Sequence, residues 1–183
     1  MHKFILPVLF VFSAHRLDAA DACAALIPTQ VKQLIATKFP ESALPAADQT
    51  DPDLLKYSSE HGGTGCLRFA FADVDGDGRL DFAALLTSRE HPDQTRLVVF
   101  RHTARAWKAE TLMEFAHSTA QLYVERCEPG TFRMSSSIEE ISEPGERTKI
   151  VSRRPGFWSG VLESADIAFF YQHGRWVHVR VTD

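Results

Sequence analysis

The sequence predicts an α+β domain in which short N-terminal helices pack on a mainly antiparallel β-sheet, curved or doubled. Three observations carry this. Apolar residues recur at helical spacing only between positions 29 and 57. From residue 66 onward the period shortens to the alternation of strands. The connections between those later segments are short and rich in Gly and Pro, which argues against βαβ units with their crossover helices.

Taken in order, Thr29 is placed to cap a helix in which Val31, Leu34, Ile35 and Phe39 share a face, and Pro40 stops it. Residues 41–49 read as a connector. Asp51-Pro52 is a second helix start, with Asp as cap and Pro in the first turn. Leu54, Leu55 and Tyr57 give that helix its apolar side, and the Gly-rich stretch 61–65 ends it. About eight strands follow. Cys66–Ala72 alternates, with Leu67, Phe69 and Phe71 on one face. Leu80–Leu86 is almost continuously apolar, the pattern of a strand buried on both faces. Arg96–His102, Ala106–Leu112, Ala120–Arg126, Arg147–Ser152 and a run from Pro155 to Glu163 continue the series. Glu128-Pro129-Gly130 and Glu143-Pro144-Gly145 are turn tripeptides. A hairpin closes the chain: Ala165–Tyr171, a His173-Gly174 turn, then Arg175–Val181. Phe169, Phe170 and Tyr171 are consecutive, so both faces of that strand carry a ring, and one of them is a candidate protein-contact surface.

The N-terminus reads as an address. Lys3 precedes the apolar run Phe4–Ala14, which is too short for a bilayer span of ~20 residues and fits a secretory signal. Ala20-Asp21-Ala22 offers a cleavage site that makes residues 1–22 a signal peptide and 23–183 a single domain; cleavage near Ala14 is the alternative. The location expected is periplasmic or secreted, in a bacterial cell. Removing 1–22 takes away Lys3, Arg16, Asp18 and Asp21, so the formal net charge stays at −4. With 44% hydrophobic residues and 13 Phe the chain is globular and not disordered. Its mild acidity supplies no basic field, which argues against nucleic acid as a partner, and no second apolar run reaches membrane length. Export makes disulfides available to Cys23, Cys66 and Cys127. Cys66 opens one strand and Cys127 ends another, so the pair Cys66–Cys127 is expected, with Cys23–Cys66 as the second choice.

One motif carries chemistry. Residues 73–81 read Asp-Val-Asp-Gly-Asp-Gly-Arg-Leu-Asp. Carboxylates of Asp73, Asp75, Asp77 and Asp81 stand at positions 1, 3, 5 and 9 of a loop, and the Arg79 carbonyl stands at position 7. Alternating oxygens on a tightly curled backbone suit Ca²⁺, a hard cation that takes 6–8 oxygen ligands. The loop is not an EF-hand: Ala84 occupies position 12, and the flanks are strands. Four carboxylates so close repel one another without a cation, so metal and loop conformation should be coupled.

Strand, D-x-D-G-D-G-x-x-D, then an apolar strand resembles the calcium hairpin of FG-GAP/VCBS repeats, over residues 69–86. The resemblance implies Ca²⁺ as cofactor and Asp73, Asp75, Asp77, the Arg79 carbonyl and Asp81 as ligands. Those repeats occur in series and build propellers; here the motif occurs once, so the propeller is not implied. The layout is also similar to small uncharacterised exported bacterial proteins, a likeness that implies no activity. His61, His91, His102, His117, His173 and His178 are scattered without ligand spacing, Ser135–Ser137 lacks a nucleophile-elbow context, and Glu139, Glu140 and Glu143 read as a solvated loop. Arg153-Arg154 is a basic pair too small for a polyanion. The expectation is an exported calcium-binding domain with a structural metal and no assigned catalytic residue, acting as a binding module for a protein partner in the cell envelope. An inhibitor or immunity protein against an envelope enzyme, or a metal-dependent hydrolase, are the alternatives.

Overall fold

The computed structural model describes residues 19–60, 63–116, 119–138, 143–161 and 166–181. Three helices come first: α1 (Ala19–Leu26), α2 (Thr29–Lys38) and α3 (Pro52–Glu60). Ten strands follow among the described residues: β1 (Phe69–Ala72), β2 (Asp81–Thr87), β3 (Thr95–His102), β4 (Trp107–Phe115), β5 (Leu122–Cys127), β6 (Gly130–Arg133), β7 (Lys149–Ser152), β8 (Gly156–Val161), β9 (Asp166–Gln172) and β10 (Arg175–Val181). All named pairings are antiparallel.

The helices α2 and α3 form where the sequence places them, with one change of detail. Asp51 accepts the N–H of Asp53 at 2.8 Å through its side chain, and Pro52 opens α3 behind it. Thr29 does not cap α2; it is the first helical residue, Pro28 holds the cap position, and no side chain caps the end. Val31 and Ile35, one turn apart, are the buried residues of α2.

The strands form two four-stranded sheets, ordered β1-β2-β3-β4 and β10-β9-β8-β5, and a separate ribbon of β6 and β7. Parity along each strand sets the layers. On the first sheet Phe69, Phe82, Ala84, Leu86, Val98 and Phe100 meet Cys23, Ile27, Val31 and Ile35 of the helices. The alternate residues Ala70, Ala83, Leu85, Leu97 and Val99 meet Leu122, Val124, Phe157 and Phe169 of the second sheet. The second sheet turns Ala168, Phe170, Val177 and Val179 toward Ile150 and Phe132 of the ribbon. Helices, sheet, sheet and ribbon therefore stack as four layers. Both sheets are covered on both faces, so β2 needs no polar alternation: its first six residues are buried. The same stacking accounts for the consecutive rings of β9. Phe169 faces the first sheet, and Phe170 is covered by Phe132 at 4.8 Å between centroids, so neither is a free contact surface.

Three features differ from expectation. β6 begins at Gly130, inside a tripeptide that reads as a turn, because the ribbon gives those residues a partner in Lys149–Ser152. The disulfide joins Cys23 to Cys66, with Cα atoms 5.6 Å apart, and not Cys66 to Cys127. Parity explains the correction. Leu122 and Val124 turn toward the first sheet, whereas Cys127 stands on the other face of β5 in the ribbon-side core and is free. Burial there pushes its thiol up to about 12. Lastly, Ala19–Leu26 forms a helix, α1, where none is expected, and Cys23, the first residue of the expected mature domain, lies within it. The apolar run Phe4–Ala14 lies outside the described residues. Among the described residues no helix is long and apolar enough to cross a membrane.

Candidate metal centre

The 73–81 loop joins β1 to β2 at the tip of the hairpin in which Ala72 pairs with Asp81. Gly76 and Gly78 both adopt the left-handed backbone, with φ of 75° and 84°, which glycine enters without the Cβ clash that other residues meet. These two reversals curl the loop so that its amides point inward. Asp73 collects three of them: Oδ1 accepts the N–H groups of Gly76 at 2.8 Å and Asp77 at 3.1 Å, and Oδ2 accepts that of Gly78 at 3.0 Å. Val74, fully buried, anchors the start of the loop in the core between the sheets.

Asp81 closes the other end. Its side chain is buried, with 1% of the residue exposed. Oδ2 accepts the Val74 N–H at 3.0 Å, and Oδ1 accepts the His102 N–H at 2.7 Å from the end of β3. Burial pushes this carboxyl up to about 6; the two N–H groups pull it down, and the charges of Asp75 and Asp73 push it up again. Asp73, Asp75 and Asp81 each bring a carboxylate oxygen to one point, all within 4.8 Å of one another.

Asp77 stands outside that triad. Its Oδ1 accepts the Arg79 N–H at 2.9 Å and its Oδ2 receives the Arg79 guanidinium at 2.7 Å, contacts that hold its carboxyl below the usual range. Of the five residues expected as ligands, three converge through side chains, and Asp77 and Arg79 pair with each other.

Two arginines that the motif does not reveal complete the surroundings. Arg101 of β3 places Nη1 3.6 Å from Asp75 Oδ2, donates Nη2 to Glu110 at 2.7 Å, and stacks over the Tyr171 ring at 4.1 Å. Arg154, in the turn between β7 and β8, donates from Nη1 to the Asp75 carbonyl oxygen. Arg101 lies on an apolar strand, and Arg154 sits 79 residues from its acceptor, so neither has a local signal in the sequence. Arg153-Arg154 read as a mere basic pair for that reason.

Of the other candidates, only His178 and Glu143 come together, with Nε2 3.6 Å from the carboxylate, away from the acidic loop. His102 stacks on Trp107 at 4.3 Å, His173 occupies the β9–β10 turn with φ 52°, and His178 is packed against Phe169. Ser135 and Ser137 share a hydrogen bond of 2.8 Å. His61, His117, Glu139 and Glu140 lie outside the described residues.

No family model matches the chain, and no curated protein or solved structure matches it either. The likeness to FG-GAP/VCBS hairpins therefore rests on residues 69–86 alone.

Proposed function

We propose that this chain is an exported domain whose 73–81 loop binds one Ca²⁺, and that the ion is structural. The supporting observation is the convergence of Asp73, Asp75 and Asp81 on one point, with Asp81 withdrawn from water. Carboxylate oxygens within 4.8 Å of one another repel by at least about 3 kcal/mol per pair at an effective dielectric of 20. A divalent cation between them reverses that sign. The donors are all oxygens on an adaptable loop, which suits Ca²⁺ better than Zn²⁺, which favours nitrogen and sulfur, or Mg²⁺, which demands a strict octahedron.

The non-catalytic reading rests on the neighbours. The groups beside the triad are backbone N–H groups and the guanidinium ions of Arg101 and Arg154, which hold oxygens and take up no proton at neutral pH. Export is supported by the apolar leader in the sequence and by the Cys23–Cys66 bridge, since disulfides persist in oxidising compartments. The role that fits these features is a binding module for a protein partner of the cell envelope.

Thermal melts in EDTA and in excess Ca²⁺ test the metal. At a free concentration of 100 Kd the ion adds about 2.7 kcal/mol, a rise of roughly 5–10 °C for a domain of this size. Asp75→Ala should remove the rise. Identical melts in both buffers, together with no calcium by elemental analysis, would overturn the reading.

A further inference from the structure

The loop of the first sheet is in direct contact with the β7–β8 turn, which leads from the ribbon into the second sheet, and the contact is made beside a glycine. The Arg154 guanidinium donates to the Asp75 carbonyl and lies flat against Gly76. A Cβ at Gly76 would stand 2.6 Å from Arg154 Nε and 2.8 Å from Cζ, so with any other residue there the Arg154 side chain must move off its present position. Gly78 has the same left-handed backbone but open space around it, with nothing within 4 Å of a Cβ built there. The two glycines thus differ in one respect: both take the left-handed backbone, and only Gly76 lies against Arg154.

The turn that carries Arg154 is itself fixed. Ser152 Oγ donates to the Arg154 carbonyl at 2.7 Å and accepts the Arg154 N–H at 3.3 Å. Two residues past Arg154, β8 begins and pairs with β5 and β9. A second tie runs parallel: Arg101 bridges Asp75 and Glu110 of the first sheet and covers Tyr171 of β9. Asp75 is common to both, through its carbonyl to Arg154 and through its carboxylate to Arg101.

We propose that Arg154 is a positioning residue that latches the acidic loop to the second sheet, so that a cation held by Asp73, Asp75 and Asp81 stiffens the β7–β8 turn as well as the loop. The regulated form of this latch rests on the calcium reading above. The physical reason is that the ion fixes Asp75, and Asp75 is the residue that the latch grips. Coupling of this kind is reciprocal: whatever loosens the turn weakens the hold on the ion.

Hydrogen exchange on the mature protein, read by mass spectrometry with and without Ca²⁺, tests it. In the wild type Ca²⁺ should slow exchange at least threefold in peptides covering 73–82 and in those covering 152–157. In Arg154→Gln the protection should be confined to 73–82, and Arg154→Lys, which restores a donor, should recover part of it. Without any metal, Gly76→Ala should speed exchange in 152–157 at least threefold, and Gly78→Ala should leave that segment unchanged. Protection of 73–82 alone in the wild type overturns the latch and leaves the calcium site standing. Equal effects of the two glycine variants on 152–157 also overturn it. No protection by Ca²⁺ anywhere overturns the calcium reading, and the glycine pair then still decides whether the latch exists.

Discussion

Replacing Cys23 and Cys66 together with alanine should cost about 4 kcal/mol of folding stability. The figure comes from the loop that the bridge closes: its ends are 43 residues apart, and the chain-entropy relation gives about 4 kcal/mol for a loop of that length. Losing two buried sulfur atoms adds to this, because both cysteines are under a tenth exposed. Cys127→Ala supplies the control, since Cys127 is fully buried and unbridged; it should cost about 1 kcal/mol, in the range for truncating a small core side chain. For a domain of about 160 residues 1 kcal/mol moves Tm by roughly 3 °C, so the double variant should melt at least about 12 °C below the wild type. Urea unfolding followed by tryptophan fluorescence measures the difference, and wild type in reductant should lose the part that comes from loop closure, about 4 kcal/mol, while keeping what the two sulfur atoms contribute. The structural locus is α1. It has eight residues, too few to persist as a helix unless tied to the sheet, so it should be the first segment to lose protection. A double variant no less stable than Cys127→Ala, or a non-reducing digest that links Cys66 to Cys127, would refute the reasoning.

Two further outcomes follow from burial. His178 is 8% exposed, and burial lowers its pKa, with Glu143 and Glu146 opposing and Arg180 and Arg147 assisting. The folded state therefore keeps it neutral at a pH where the unfolded chain takes up a proton. Stability from this group is complete above the ordinary histidine range and falls as pH drops through that range toward the lower folded value; urea midpoints from pH 7.5 to 5 should fall less steeply in His178→Gln than in the wild type. Gly156→Ala should destabilise by about 1–3 kcal/mol through overpacking, because a Cβ there meets the Phe169 carbonyl and stands 2.7 Å from the Phe170 ring; an unchanged denaturation midpoint would mean that β8 and β9 do not approach as described.

What the sequence discloses is mostly local. The switch from helical spacing to alternation, the Asp51-Pro52 helix start, the His173-Gly174 turn and the curled acidic loop each depend on residues a few positions apart, and each is where it was read. Even the burial of β2 on both faces is legible, since a run such as Phe82–Leu86 has no polar residue to spare for water. The misreadings concern partners far along the chain. The choice between one curved sheet and two was open in the sequence, because it depends on β5 pairing with β8 and on β1 lying at an edge, which no periodicity encodes. Cys127 looked equivalent to Cys66 as a strand-end cysteine; only the parity of β5 turns it away from the first sheet. The triad was visible as a pattern, whereas Asp77 could be separated from it only once Arg79 was seen to take its carboxylate.

The arrangement around Asp81 bears on how the ion would act. Asp73 is held by three loop amides and Asp81 by two more, one of them from β3. Arg154 and Arg101 restrain Asp75 from outside the loop. Every converging carboxylate is therefore oriented by contacts that do not include a metal. Binding to such a site costs little ordering entropy, which separates it from small metal domains that are unfolded until the ion arrives. The order built into the loop is achieved against the mutual repulsion of its carboxylates, so the contribution of the proposed ion would be to relieve that repulsion rather than to create the fold. Chelation should accordingly lower the melting temperature while leaving the far-ultraviolet circular dichroism of the protein at 25 °C unchanged. A chain that lost its strand signal on chelation would require a loop that assembles around the metal, contrary to the hydrogen bonds that hold Asp73 and Asp81 in place.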